Sequence, residues 1–249
     1  MVLYKIRNAG GINMRLGVNI DHIATLREAR GESTPDPAFA ALIAEDSGAE
    51  SIVAHLREDR RHINDNDLYV LREIVRSRLN MEMSISPEIV KIACKVKPNQ
   101  ATLVPEKRQE LTTEGGLDVT GNLVKITKTI DSLEASGIDV SLFIDPLKSQ
   151  IRSAKEAGAR MIELHTGSYA NAANKTQENK YLKELKSAVN FANSLDLIVF
   201  AGHGLNYNNV SNVAQIQGIE ELNIGHSIIS RALFTGLGKA VREMKELIG

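Results

Sequence analysis

Tryptophan is absent from this 249-residue chain, aromatic residues make up only 4% of it, and cysteine occurs once, as Cys94. A lone cysteine excludes an internal disulfide and a zinc site built from several thiolates, and it suits a reducing compartment. Cys94 falls within IVKIACKV, a helical pattern in which a buried, inert thiol is the ordinary reading. An excess of either charge is missing as well: 30 Lys and Arg stand against 31 Asp and Glu. That balance gives no basic surface for nucleic acid and no acidic tail, so any anion binding has to come from local clusters. No apolar run reaches the length of a membrane span, and the opening MVLYKIRNAGGINM lacks the apolar core of a signal peptide. The expectation is a cytoplasmic protein with neither nucleic acid nor membrane as partner. Residues 1–14 read as a polar N-terminal extension, with Met14 a second possible start.

What the chain does have is a repeated order of residues. The stretch Ser51–His62, SIVAHLREDRRH, begins apolar at Ile52-Val53-Ala54 and then breaks into His55, Arg57, Arg60, Arg61 and His62. A short apolar run between helical patterns reads as a buried parallel strand. Ending it in imidazoles and guanidiniums points those groups at an anion, the alternative being a solvated turn. The same order recurs, with strands expected at 16–20, from 51, and at 80–85, 101–104, 139–144, 160–164, 197–201 and 221–224. Helical patterns lie between them, such as Leu123, Ile126, Ile130 and Leu133. Asp36-Pro37, Ser86-Pro87 and Asp145-Pro146 each read as a helix start, a capping side chain followed by proline in the first turn. A charged loop is expected after the first strand, through Pro35, and the tail 228–247 reads as helical with a break at Gly236 or Gly238. Eight strands alternating with eight helices, with no change of composition between them, predict an α/β fold: one (β/α)8 TIM barrel over residues 15–249. The rival, an open doubly wound sheet, usually has fewer strands and a glycine fingerprint in its first turn, and LGVNIDHIA offers no GxGxxG.

In such barrels the site lies at the carboxyl ends of the strands. All six histidines, His22, His55, His62, His165, His203 and His226, fall at an expected strand end or in the loop after it, and none on an expected helix. One rim histidine is ordinarily structural; six together argue for a site. Alternation in NMEMSI sends Met81 and Met83 outward and Glu82 into the barrel, and Glu163 points inward by the same rule. An inward carboxyl is either ion-paired or pushed to a raised pKa useful for proton transfer. Asn19 and Asp21 project from the first strand. The turns Gly202-His203-Gly204 and Gly225-His226-Ser227 stand where barrels of this class often bind phosphate, with Gly204, Gly225 and His226 as candidates. Arg57 and His62, joined by Arg30, imply a second anion site, hence two phosphorylated substrates or one bisphosphate. The long 105–119 connection reads as a lid or as a plain surface loop. No expected strand ends in Lys, which disfavours Schiff-base chemistry, and no HExxH motif occurs; a metal held by His55, Glu82 and His203 stays geometrically open.

These residues carry a resemblance. GVNIDHIATLREARG, HLREDRRHI, the Glu82 strand, LVPEKRQELTTEGGLDV, IELHTG, AGHGL and ELNIGHSIISRA together resemble the pyridoxine 5′-phosphate synthase family of the deoxyxylulose-dependent route to vitamin B6, from about Leu16 to Leu247. The resemblance implies condensation of 3-amino-2-oxopropyl phosphate with 1-deoxy-D-xylulose 5-phosphate to pyridoxine 5′-phosphate, phosphate and water. It implies His55 and Glu82 as proton acceptors, His203 as proton donor and Glu163 as transition-state stabiliser. It places Asn19 and Gly204 on the amino ketone and Gly225 and His226 on its phosphate. Asp21, His22, Arg30, Arg57, His62 and Thr112 would hold the deoxyxylulose phosphate. It further implies a homo-octamer of barrels with additional helices, no metal and no cofactor. A metal-dependent aldolase or isomerase and a non-catalytic phosphometabolite-binding barrel are the competing readings of the same residues.

Overall fold

The computed structural model describes residues 14–106 and 115–249. Eight parallel strands close into a barrel in sequence order: β1 Arg15–Asn19, β2 Ser51–Leu56, β3 Leu79–Met83, β4 Gln100–Leu103, β5 Asp139–Ile144, β6 Met161–His165, β7 Ile198–Gly202 and β8 Ile219–Ile224. β8 pairs back on β1, with Gly17 beside Asn223. The strands stand within a few residues of their expected positions, and the expected TIM barrel is the fold observed.

The helices are α1 Asp21–Glu28, α2 Pro37–Asp46, α3 Asp65–Ile74, α4 Pro87–Val96, α5 Leu123–Ala135, α6 Lys148–Glu156, α7 Gly167–Ala170, α8 Lys175–Ser194, α9 Val210–Ala214, α10 His226–Thr235 and α11 Leu237–Ile248. Asp36 caps α2 by accepting from the Ala38 amide, and Ser86 caps α4, each with proline next. Cys94 packs on α4 against the core with its Sγ 3.8 Å from the Ser132 carbonyl. The tail breaks at Gly236, whose φ of +80° suits a residue without a Cβ.

Three expectations are corrected. The loop after β1 holds α1, so His22 lies in a helix, and His226 is the first residue of α10; the expectation that no histidine is helical fails for both. Both helices start directly at a strand end, so these histidines still face the rim. Asp145-Pro146 does not cap α6, which starts two residues later at Lys148 without a side-chain cap. The Asp145 carboxylate accepts instead from the Gly116 amide at 3.1 Å and contacts His165. The sequence reading of a polar loop between the sixth strand and the long helix that follows it is corrected too, since that segment holds the short α7.

Alternation sorts the strands as expected. Leu16, Val18, Ile52, Ala54, Leu56, Leu79, Met81 and Met83 pack outward into the shell shared with the helices, all without solvent exposure. The barrel interior is polar. At its amino-terminal end Gln100 donates to Thr102 at 3.1 Å, Thr102 donates to Asn80 at 2.9 Å, and Arg15 pairs with the buried Glu221 at 3.0 Å. Phe200 fills the space beside Arg15. Buried polar groups of this kind are stable only when partnered, and this floor meets that need largely from within.

Candidate active site at the carboxyl end of the barrel

A cavity of about 590 Å³ opens at the carboxyl ends of the strands. Asn19, Asp21, His22, His55, Arg57, His62, Glu82, Glu163, His203, Gly204, Gly225 and His226 all line it, contributed by β1, β2, β3 and β6 and by the turns after β1, β2, β7 and β8. The structure thus gathers every expected site residue but two. Arg30 lies past the end of α1, exposed and outside the lining. Thr112, and with it the middle of the 105–119 connection, lies outside the described residues.

His55 and Glu82 are register partners on β2 and β3. His55 Nδ1 lies 4.0 Å from Glu82 Oε2, while its Nε2 lies 3.0 Å from Glu106 Oε1. The His55 backbone N–H donates to Asp21 Oδ1 at 2.8 Å, and Asn19 Nδ2 donates to Asp21 Oδ2 at 2.8 Å. Burial pushes the Glu82 carboxyl well above its ordinary pKa, and the neighbouring Glu163 and Asp21 add to it. Glu163 is raised to about 8, chiefly by burial and further by Glu221 beneath it, against the hydrogen bond it accepts from Asn223. Both carboxyls are therefore raised above the ordinary carboxylate range, the direction that suits an acid or base in proton transfer.

His203 follows β7 with φ of +79°, and Gly204 continues at +80°. A β-carbon on Gly204 would fall 2.6 Å from Ala170 Cβ, so only glycine fits there. The Thr166 hydroxyl donates to the carbonyls of Gly202 and His203 and pins this turn. Burial, aided by His165 at a ring separation of 5.0 Å, drives the His203 pKa down to about 4. Gly225 precedes α10, whose N-terminal end faces the cavity and favours an anion there.

On the other side, buried Arg57 lines the wall beside His62. His62 Nδ1 accepts the Ile63 amide at 2.8 Å, so the ring proton sits on Nε2 as a donor. Arg27 holds that loop, donating to the His62 carbonyl at 3.1 Å and gripping Asp67 with two bonds of 2.7 and 2.8 Å. His22 and His226 approach edge to face at 5.1 Å, and burial lowers the His22 pKa.

Ligand atoms of Asp21, His55 and Glu82 come within 4.8 Å of one another, a different trio from the sequence's His55, Glu82 and His203. Both Asp21 oxygens already accept hydrogen bonds and Glu82 is driven toward its neutral form, a donor set poorly suited to a cation.

Residues the sequence did not single out also belong here. Glu106 contacts His55; Asn223 holds Glu163; Phe143 lines the cavity. His165, one of the six rim histidines, stands behind His203 with its Nδ1 3.0 Å from Asp145. The signal for Asn223 is its place two residues before the Gly225 turn, on the inward parity of β8.

Fold and cavity together define a (β/α)8-barrel enzyme whose site is ringed by imidazoles and carboxyls. The family model described as "Pyridoxal phosphate biosynthesis protein PdxJ" matches residues 16–249. A protein of Trichlorobacter lovleyi called pyridoxine 5′-phosphate synthase is 58% identical over 234 residues, covering 94% of this chain and 98% of that protein. A synthase of the same name from Pseudoalteromonas translucida is 55% identical over 233 residues, covering 94% and 96%. The chain belongs to the PdxJ family. Among solved structures, that of a 3-hexulose-6-phosphate synthase superposes with a TM-score of 0.64 at 14% identity, covering 95% of this chain and all of that one, a likeness of fold.

Proposed function

We propose that this chain condenses 3-amino-2-oxopropyl phosphate with 1-deoxy-D-xylulose 5-phosphate to pyridoxine 5′-phosphate, phosphate and water, by general acid and base catalysis. The observation that carries the reading is the convergence of His55, Glu82, Glu163 and His203 on one cavity in a chain of this family. Joining an amine to a ketone, losing water, eliminating phosphate and closing a ring are proton transfers, and each needs an acid or base within reach. Glu82 and His55, adjacent on neighbouring strands, are the acceptors, their paired position bringing both within reach of one bound substrate. His203 is the donor. Its pKa of about 4 keeps the empty site neutral there, and a phosphate dianion bound beside it raises that value. Glu163 stabilises the developing cation from the barrel interior.

Asn19 and Gly204 hold the amino ketone, with its phosphate at Gly225, His226 and the start of α10. Arg57, His62, His22 and Asp21 hold the deoxyxylulose phosphate; the buried guanidinium and the Nε2 donor of His62 supply the charge and hydrogen bonds. Arg30 and Thr112 complete that second subsite by family resemblance. The working state is a homo-octamer in the cytoplasm, needing no metal or cofactor. Incubation of the protein with both substrates in chelator, assayed for pyridoxine 5′-phosphate and phosphate, tests the reading. Stoichiometric appearance of both supports it; binding of both substrates without product removes it.

A further inference from the structure

We infer that Glu106 is a positioning residue for His55: its carboxylate accepts a hydrogen bond from the Nε2–H of the imidazole and so leaves the Nδ1 lone pair facing Glu82 and the cavity. The inference rests on the proposed function only in taking His55 as a base.

Glu106 stands three residues past β4, after Val104-Pro105, and its side chain is 7% exposed, as is that of His55. Each of its oxygens has a separate partner on the β2 side of the barrel. Oε1 lies 3.0 Å from His55 Nε2, and Oε2 accepts the backbone N–H of Glu58 at 3.0 Å. The carboxylate cannot swing away without breaking both bonds. An ionised carboxylate only accepts, so the shared proton belongs to Nε2 and Nδ1 is left with its lone pair. Nδ1 is 4.0 Å from Glu82 Oε2, too long for a hydrogen bond between them, so its lone pair is not taken up by Glu82. The backbone of His55 is fixed independently through Asp21. A buried carboxylate behind an imidazole sets tautomer and orientation in the same manner in hydrolytic triads.

The electrostatics agree with an ionised Glu106. Burial works to raise its pKa, but the hydrogen bond and charge of His55, the Glu58 amide and the Arg57 guanidinium together hold it below the ordinary carboxylate value. The groups facing His55 are Glu82 on β3, Asp21 on α1 and Glu106 after β4, with Arg57 and His62 from its own connection; the His62 ring is 6.0 Å away.

Glu106→Gln keeps the shape and an acceptor oxygen but removes the charge, whereas Glu106→Ala removes both. In protein that melts like wild type, kcat falls about tenfold in the first and about a hundredfold in the second, with each KM within about threefold of wild type. Added formate restores part of the rate of Glu106→Ala. Imidazole 15N signals, assigned to His55 by their loss in His55→Asn, show an Nε2–H tautomer in wild type. Wild-type kcat in Glu106→Gln, a loss confined to KM, or an Nδ1–H tautomer in wild type would each overturn the inference. Wild-type protein that forms no pyridoxine 5′-phosphate defeats the proposed reaction instead, and the 15N signals, which need no turnover, then decide the role of Glu106 alone.

Discussion

Asn223 on β8 donates a hydrogen bond of 2.6 Å to Glu163 on β6, although β7 runs between them. The contact is possible because Gly202, the residue of β7 that pairs with Asn223, has no side chain. A β-carbon there would fall 2.3 Å from Glu163 Oε1. Reach across a strand is thus provided by a glycine whose neighbours in the linear chain, Ala201 and His203, give no hint of it.

Gly202→Ala therefore displaces Glu163 and breaks its bond to Asn223. Overpacking a rigid interior costs about 1–3 kcal/mol. Thermal unfolding reads the loss of stability, and turnover falls with it. An unchanged melting temperature and rate would show that the Glu163 side chain is not held where this contact places it.

Glu82→Gln and His203→Ala each lower turnover by about a hundredfold to ten-thousandfold, the range for loss of a general acid or base. The fold persists in both, since each side chain faces the cavity. Steady-state kinetics with circular dichroism checks the pair, and wild-type rates in both would remove their assigned roles.

Stability should depend on pH through Glu163. Its folded-state pKa is raised from 4.5 to about 8, so between those values the native state holds a proton that the unfolded chain has released. That favours the fold most below the unfolded value and is lost as pH rises through about 8, by an order of a few kcal/mol. Chemical denaturation across this range shows a downward slope for wild type, shallower in Glu163→Gln. A steeper slope in the variant would reverse the assignment.

The Arg27–Asp67 pair, 9% and 10% exposed at its side chains, is a two-pronged bridge that also anchors the His62 carbonyl. Arg27→Lys cannot reproduce that fork. The expected result is a loss of about 2–4 kcal/mol together with a raised KM for the substrate bound at His62. Denaturant titration and initial rates measure both; a KM that stays fixed would separate the bridge from the site.

How far these features are legible in the linear sequence varies with the physics behind each. The eight strands are readable because their outward faces are apolar and punctuated by turn residues. The inward aim of Glu82 and Glu163 follows from alternation alone. Helix α1 is not readable, because it begins directly at a strand end with Ile20 preceding it and no side-chain cap. Asp145-Pro146 has the same two residues as Asp36-Pro37, yet only the latter caps a helix; the carboxylate of Asp145 is taken by Gly116 and His165, partners 29 and 20 residues away. Glu106 is hidden for a similar reason, since its partner His55 lies 51 residues earlier. Long-range pairings of this sort leave no local periodicity.

The Arg15–Glu221 floor has a reach beyond packing. Glu221 is sealed from solvent at 1% exposure, yet its charge acts on Glu163 one layer higher. The working pH of the chamber is accordingly governed in part from a stratum that no reactant enters. An exchange in that layer would shift the acidity of Glu163 while leaving every residue that lines the cavity unchanged.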